Sequence, residues 1–329
     1  MSPYMAYDQY VMLDGNGNPV VFDDDGTSLD SFRSSHLMVI RADVATEISK
    51  TFARSLILEL RQIEAEGKCL AALGEHHVRV APNGKVKLRG VQILSNPLPA
   101  ARLAYLQQNY HSASTIIDGL FGQRIPPDIQ HLTYLMRTDF AVRAMFPIHA
   151  SLVPMTSYPA LYKELHDYVK FKIPKHHFHA ILLVLQNVPN VANWQQVVST
   201  NSVLSTTLNF NQGSSYTIPT NIYNQTCLYP EQKTALRMLG IPKGNQISIT
   251  PYQIALIRPL RFFDFKRNRI AHRMEAGLCA NGMTLQRYFS AKGSDIVTRV
   301  RFPLVIPYIQ LELQRRGLLS QLDLNPLFN

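Results

Sequence analysis

The stretch ADVATEISKTFARSLILELRQIEAEG, from Ala42 to Gly67, decides the fold class of this 329-residue chain. Its apolar residues recur at helical spacing: Ile48, Phe52, Leu56, Leu60 and Ile63. Residues at this spacing lie on one face of an α-helix, and a glycine commonly follows the last helical residue. The stretch therefore predicts one long amphipathic helix with a buried face.

β-Hairpins are predicted on both sides of this helix. HHVRVAPNGKVKLRGVQI, from His76 to Ile93, has two alternating segments around Pro82-Asn83-Gly84, and YVMLDGNGNPVVFDDDG, from Tyr10 to Gly26, has two short strands around a Gly/Asn turn. Glycine and asparagine tolerate the positive φ that tight turns require. Helical spacing returns from Asp128 to Asp139 and from His149 to Phe171. The chain is predicted to be mainly α, in the α+β class, with short β-hairpins.

Composition indicates a globular protein with a polyanionic partner. Hydrophobic residues make up 46% of the chain, which is enough for a full core and, at this length, two domains. The apolar pattern restarts near Pro174, so the predicted domains are residues 1–171 and 172–329. Lysine and arginine total 33 against 23 acidic residues, a net charge of +10. This charge favours either nucleic acid or an acidic protein surface.

The remaining signals concern the compartment and cofactors. Cys69, Cys227 and Cys279 form no CxxC pair, which excludes a zinc-ribbon pattern and predicts a reducing compartment. No signal peptide is recognisable, and the longest apolar run is too short to span a bilayer. We therefore expect a soluble protein of the cytoplasm or nucleus, with no membrane partner, no metal and no cofactor. The KHHFH segment, with His176, His177 and His179, lacks a nearby further ligand and is not predicted to bind metal.

The most basic segment is LRFFDFKRNRIAHRME, from Leu260 to Glu275. Arg267 interrupts an apolar helical stripe, and Asn268 and His272 are four residues apart, which places them on one helix face. Histidine is suited to proton transfer near neutral pH, and arginine and asparagine hold a phosphate without titrating. These residues suit metal-free RNA cleavage. The predicted RNA-binding residues around them are Arg258, Arg261, Lys266, Arg269 and Arg273.

The order of a long helix and then a hairpin carrying NGKVKL resembles the C-terminal lobe of a protein kinase. At the positions that the kinase family reserves for its catalytic-loop and metal-binding residues, this chain has Ala72, His77 and Gly90. The resemblance thus implies a pseudokinase-like lobe that serves as a scaffold and has no kinase activity.

A kinase-like lobe followed by a helical domain with R-N-x-x-x-H resembles the kinase-extension nuclease (KEN) family, which includes the unfolded-protein-response sensor kinase-endoribonucleases and ribonuclease L. Arg267, Asn268 and His272 fall on that family's phosphate-binding and catalytic residues. Tyr288-Phe289 and Arg301-Phe302-Pro303 match its YF and RFP elements.

The chain also departs from the KEN pattern. Ala271 and Arg273 replace a histidine and an aromatic residue, and Tyr252, the nearest candidate for the catalytic tyrosine, is two residues out of register. Two functions therefore remain open. One is a divergent metal-independent endoribonuclease that leaves 2′,3′-cyclic phosphate ends. The other is a non-catalytic pseudoenzyme that binds RNA or a partner kinase-nuclease and regulates it. The resemblance further implies a role in stress responses and a homodimer, or a heterodimer with a kinase-nuclease homologue.

Overall fold

The computed structural model describes residues 27–36, 38–40, 44–200 and 298–328. The chain divides into two compact units, Met1–Leu152 and Val153–Asn329. The division precedes the boundary that the sequence pattern predicts at residue 172. The predicted hairpin from Tyr10 to Gly26 lies outside the described residues.

The described part of the first unit is mainly helical. Its α-helices are α1 (Leu29–Ser35), α2 (Glu47–Ala65), α3 (Pro99–Phe121) and α4 (Pro127–Thr138), and 3₁₀ segments span Glu75–His77, Phe140–Ile148 and Ala150–Leu152. Its strands are β1 (Thr27–Ser28), β2 (Val39–Ile40), β3 (Val44–Ala45), β4 (Cys69–Leu70), β5 (Val78–Val80), β6 (Val86–Leu88) and β7 (Ile93–Leu94). All pairs are antiparallel, in the order β1-β5-β6, β2-β3 and β4-β7. A mainly helical chain with short β-strands is the class that the sequence predicts.

Helix α2 confirms the long amphipathic helix, although it begins at Glu47 and not near Ala42. The reason is local. Strand β3 pairs with β2 immediately before the helix, and the Thr46 hydroxyl then accepts a hydrogen bond from the Ser49 amide at 3.3 Å. A threonine in this capping position satisfies an amide that would otherwise have no acceptor in the first turn.

The core of the first unit forms around the apolar face of α2. Phe52, Leu56 and Leu60 are buried there, and α2 packs against α3 and β6. Burial of each such side chain is worth about 1.5–3 kcal/mol. On α3, the buried Asn109 amide pairs with both backbone groups of Leu70, accepting at 3.0 Å and donating at 3.1 Å. This side chain thereby joins α3 to the start of the β4–β7 pair.

The predicted hairpin around Pro82-Asn83-Gly84 is also confirmed, since β5 and β6 pair with Val80 opposite Val86. Gly84 has a φ of +81° and donates its amide to the Ala81 carbonyl at 2.8 Å. A Cβ at this position would lie 2.8 Å from the Ile48 carbonyl oxygen of α2. Glycine is therefore required both by the turn and by the close approach of the helix.

The described part of the second unit is helical, with α5 (Tyr158–Phe171), α6 (Lys175–Gln186), α7 (Trp194–Ser199) and α8 (Val305–Arg315). Residues 298–301 are also α-helical. Helix α8 packs against α5 and α6. The 3₁₀ segments of this unit are Leu319–Gln321 and Asn325–Phe328. The Tyr168 hydroxyl of α5 donates to Gln321 Oε1 at 2.8 Å, which holds the C-terminal segment against this helix.

Two helix predictions have different outcomes. Helix α4 matches the one predicted from Asp128 to Asp139, whereas the prediction from His149 to Phe171 is wrong in its first half, since α5 begins at Tyr158. Pro154 has no amide hydrogen to donate and disfavours helical backbone at the residue before it, which accounts for the interruption. None of the described helices has both the length and the apolar character needed to cross a bilayer.

Candidate anion-binding cleft

The sequence-predicted nuclease residues lie outside the described residues. This holds for the predicted catalytic set, Arg267, Asn268, His272 and Tyr252, and for the predicted RNA-binding set, Arg258, Arg261, Lys266, Arg269 and Arg273. Tyr288 and Phe289 also lie outside them. Of the KEN-like elements, Arg301-Phe302-Pro303 is described. It precedes α8, its Phe302 is buried, and the Arg301 carbonyl accepts a hydrogen bond from Asn190 Nδ2 at 2.9 Å.

The positions compared with kinase catalytic residues carry no carboxylate in the described fold. His77 uses Nδ1 to accept the Gly74 amide at 3.0 Å. Burial lowers the pKa of His77, and the adjacent His76 lowers it further. Gly90 follows β6 with a φ of +66°. The absence of kinase activity stays a prediction.

The histidines of the KHHFH segment lie at the start of α6. The rings of His176 and His177 are 4.0 Å apart. Burial lowers the pKa of His177, with further lowering by His176 and Arg316. Within residues 27–36, 38–40, 44–200 and 298–328, no three His, Cys, Asp or Glu side chains come together in a way that could hold a metal ion.

An open cleft of about 490 Å³ lies at the start of α3 in the first unit. Its polar wall contains Glu64 from the end of α2, Arg102 from the first turns of α3 and Arg143 from the 3₁₀ segment Phe140–Ile148. Its other lining residues are Gly67, Asn96, Pro97, Pro99, Leu103 and Leu106. Two guanidinium groups thus face one carboxylate, and the wall is positively charged.

Glu64 organises the polar wall. Its Oε1 accepts from Arg143 Nε at 2.8 Å and its Oε2 from Arg61 Nη1 at 3.0 Å. The side chain of Glu64 is only 11% exposed, whereas those of Arg61 and Arg143 are 36% and 35% exposed. The carboxylate therefore holds two partly exposed guanidinium groups in place, of which that of Arg143 lines the cleft.

Tyr110 supports Glu64 from the protein interior. Its hydroxyl donates to Glu64 Oε2 at 3.4 Å, and its ring packs edge-on against Phe140 and Phe146. Burial, together with the Glu64 charge, raises the pKa of Tyr110 well above its ordinary value. The hydroxyl stays protonated and serves as a donor, so Tyr110 positions the carboxylate.

Both arginines of the wall keep hydrogen-bonding capacity. Arg143 donates from Nε to Glu64, and its guanidinium carbon lies 4.5 Å from the centre of the Phe140 ring. Its terminal nitrogens form no hydrogen bond with the described residues. Arg102 donates from Nη2 to the Glu64 carbonyl at 2.6 Å, while its buried Nε has no acceptor among the described residues. The planar guanidinium fork suits carboxylate and phosphate oxygens.

A second polar cluster in the first unit is entirely buried. Ser151 donates its amide to His149 Nδ1 at 3.2 Å, and its hydroxyl lies 2.7 Å from the same nitrogen. His149 Nδ1 is therefore an acceptor, so Nε2 carries the proton and donates to His131 Nδ1 at 3.0 Å. Ser151 and His149 are 0% exposed. A serine beside a histidine resembles a nucleophile with its base, but Ser151 is inaccessible to a substrate. The cluster instead joins α4 to the 3₁₀ segment Ala150–Leu152.

No sequence pattern predicts the polar wall of the cleft or the Ser151–His149–His131 cluster. Arg61 and Glu64 are three apart on α2, which is a recognisable helical pair. Arg102 and Arg143 lie near this pair only because α3 and the 3₁₀ segment Phe140–Ile148 pack against α2. No local sequence pattern predicts that these residues come together.

The chain matches no family model, no curated protein and no solved structure. The kinase-nuclease resemblance, the implied dimer and the stress-response role therefore stay predictions.

Proposed function

We propose that this protein binds RNA through the phosphate backbone. The observation that carries the proposal is the arginine wall of the cleft, where Arg102 and Arg143 retain donors that no described residue uses. The net charge of +10 supports the same partner, since cations that contact phosphates release condensed counterions. Of the two functions that the sequence leaves open, the endoribonuclease requires RNA binding, and the pseudoenzyme binds either RNA or a partner kinase-nuclease.

The first experiment measures the affinity for a fluorescent single-stranded RNA at several salt concentrations. We expect the logarithm of affinity to fall linearly with that of salt, because phosphate binding releases counterions. Arg143→Gln removes one phosphate-binding cation and should lower affinity about tenfold and the salt slope by about one. Lys85→Gln is the matched control, because it removes an exposed charge that does not line the cleft.

Two outcomes would contradict this assignment in different ways. If wild-type affinity does not depend on salt, the phosphate backbone is not the recognised feature. If Arg143→Gln and Lys85→Gln behave alike, RNA binds elsewhere, and charge reversal at Arg269 and Arg273 then tests the basic segment from Leu260 to Glu275.

A second candidate function, metal-independent RNA cleavage, is favoured by the R-N-x-x-x-H sequence of Arg267, Asn268 and His272. In this reaction the ribose 2′-oxygen attacks phosphorus and gives its proton to a base, for which Tyr252 is the candidate. The bond to the 5′-oxygen breaks, and His272 protonates that oxygen. The products are a 2′,3′-cyclic phosphate and a 5′-hydroxyl, and Arg267 and Asn268 hold the charged phosphorane.

Cleavage is tested on a stem-loop RNA with EDTA present. His272→Ala should slow cleavage by about 10²–10⁴ while RNA binding is retained, because the acid is lost and the surrounding cations are not. His111→Ala, at an exposed histidine of α3, is the matched control. Equal cleavage by His272→Ala and wild type assigns the activity to another site, and absence of cleavage by both leaves the non-catalytic RNA-binding function.

A further inference from the structure

The cleft has an apolar side that phosphate binding alone does not use. Besides its charged groups, the cleft is lined by Pro97, Pro99, Leu103 and Leu106. Apolar surface continues onto the outside of the molecule, where Leu103 is 48% and Leu98 77% exposed. Large aliphatic side chains exposed this far beside a charged pocket are typical of binding surfaces.

The cleft is also larger than one phosphate requires. Its volume of about 490 Å³ falls in the range of about 300–1,000 Å³ that is usual for small-molecule pockets. Such pockets combine an apolar lining with a few polar groups that fix orientation. The cleft therefore has room for a sugar and a base beside a phosphate.

The start of α3 contributes to the charged side. Leu98 provides no side-chain cap, Pro99 occupies the first turn, and the first backbone bond runs from the Arg102 amide to the Leu98 carbonyl at 2.8 Å. The amides before Arg102 therefore lack acceptors within the helix. The positive end of a 23-residue helix favours an anion, and here it coincides with the Arg102 guanidinium that lines the cleft.

We propose that the cleft binds one nucleotide of single-stranded RNA, with its phosphate at Arg102 and Arg143 and its base and ribose against Leu103 and the two prolines. This proposal rests on the proposed RNA-binding function and adds a preference for unpaired RNA. In a duplex the bases are stacked and paired, so one must be extruded before it enters a concave site. Electrostatics alone would favour the duplex, because its phosphates are more densely spaced. If the protein binds single strands more tightly than duplexes, the apolar side of the cleft is therefore the cause.

The test is a competition experiment with a fluorescent single-stranded RNA already bound to the full chain. Unlabelled single strand should compete at least about tenfold better than a duplex containing the same sequence, because duplex entry requires unstacking. Leu103→Ser should lower single-strand affinity about fivefold, since it removes apolar side-chain surface against which the base packs. Leu58→Ser is the matched control, because Leu58 is 40% exposed on α2 and does not line the cleft.

The outcomes separate this proposal from the proposed function. If duplex and single strand compete equally, or if Leu103→Ser and Leu58→Ser have equal affinities, the nucleotide site is wrong and RNA binding stands. If wild-type protein binds neither RNA, both fail. Should Leu103→Ser unfold, Leu103→Ala replaces it. The ratio of single-strand to duplex affinity must then fall toward one, and an unchanged ratio overturns the proposal.

Discussion

The arginine cleft and the Ser151–His149–His131 cluster are two polar groups in the same unit with opposite properties. In the buried cluster, each nitrogen of His149 faces a hydrogen-bonding partner inside the fold. In the cleft, Glu64 is satisfied, but Arg102 Nε is not, and the side chain of Arg143 is 35% exposed. Satisfied and buried polar groups specify the packing, whereas partly exposed guanidinium groups that line a cleft are available to a ligand.

Replacement of His149 by leucine should have the largest effect and should fall on stability. His131 and Ser151 would each lose their His149 partner inside the core, and each lost bond to a buried group costs about 1–3 kcal/mol. We expect about 3 kcal/mol less free energy of unfolding in urea, with RNA affinity of the folded protein unchanged. His111→Leu, at an exposed site, should change neither quantity. A loss of RNA affinity in folded His149→Leu protein would remove the distinction between the two clusters.

Replacement of Glu64 by glutamine should separate stability from binding. The amide keeps an oxygen for Tyr110 but loses the charge that holds Arg61 and Arg143. We expect a loss of about 1 kcal/mol in stability, because these pairs are partly exposed. Single-strand affinity should rise, because Glu64, the carboxylate among the described lining residues of the cleft, is gone.

Asp30→Asn is the charge-matched control for this variant, since it removes one acid that is 88% exposed and does not line the cleft. If Glu64→Gln binds RNA more weakly than this control, the carboxylate is needed to orient the arginines more than its negative charge opposes the ligand.

The smallest effect is expected at His77, which is neither in the cleft nor in the buried cluster. Burial lowers its folded pKa below the ordinary value of 6.5, so the unfolded chain binds this proton more tightly. Its contribution to stability is fully present above pH 6.5, declines below that value and is lost as pH falls through the lowered folded pKa.

Urea unfolding of wild type and His77→Gln between about pH 7.5 and about pH 5 measures this contribution. Glutamine can still accept the Gly74 amide but does not titrate, so the variant should lose less stability on acidification. Burial also lowers the pKa of His36, which remains in both proteins and contributes the same acid sensitivity to each. Parallel pH profiles for the two proteins would exclude a role of His77.

The sequence by itself determined the elements whose signals are local. The apolar spacing of α2 and α4 and the Pro82-Asn83-Gly84 turn specify a helix or a hairpin because each pattern acts over a few neighbouring residues. The errors arose where another local interaction competed, as with the Thr46 cap and Pro154.

Only the tertiary structure decided which polar residues meet. Arg143 reaches Glu64 across 79 positions of the chain, and Asn109 pairs with Leu70 across 39. Contacts at such separations depend on how α3 and the 3₁₀ segment Phe140–Ile148 pack against α2. No local periodicity encodes this packing. Composition predicted a polyanionic partner because net charge is a sum over residues. The cleft required three particular side chains to converge, and the packing of the core brings them together.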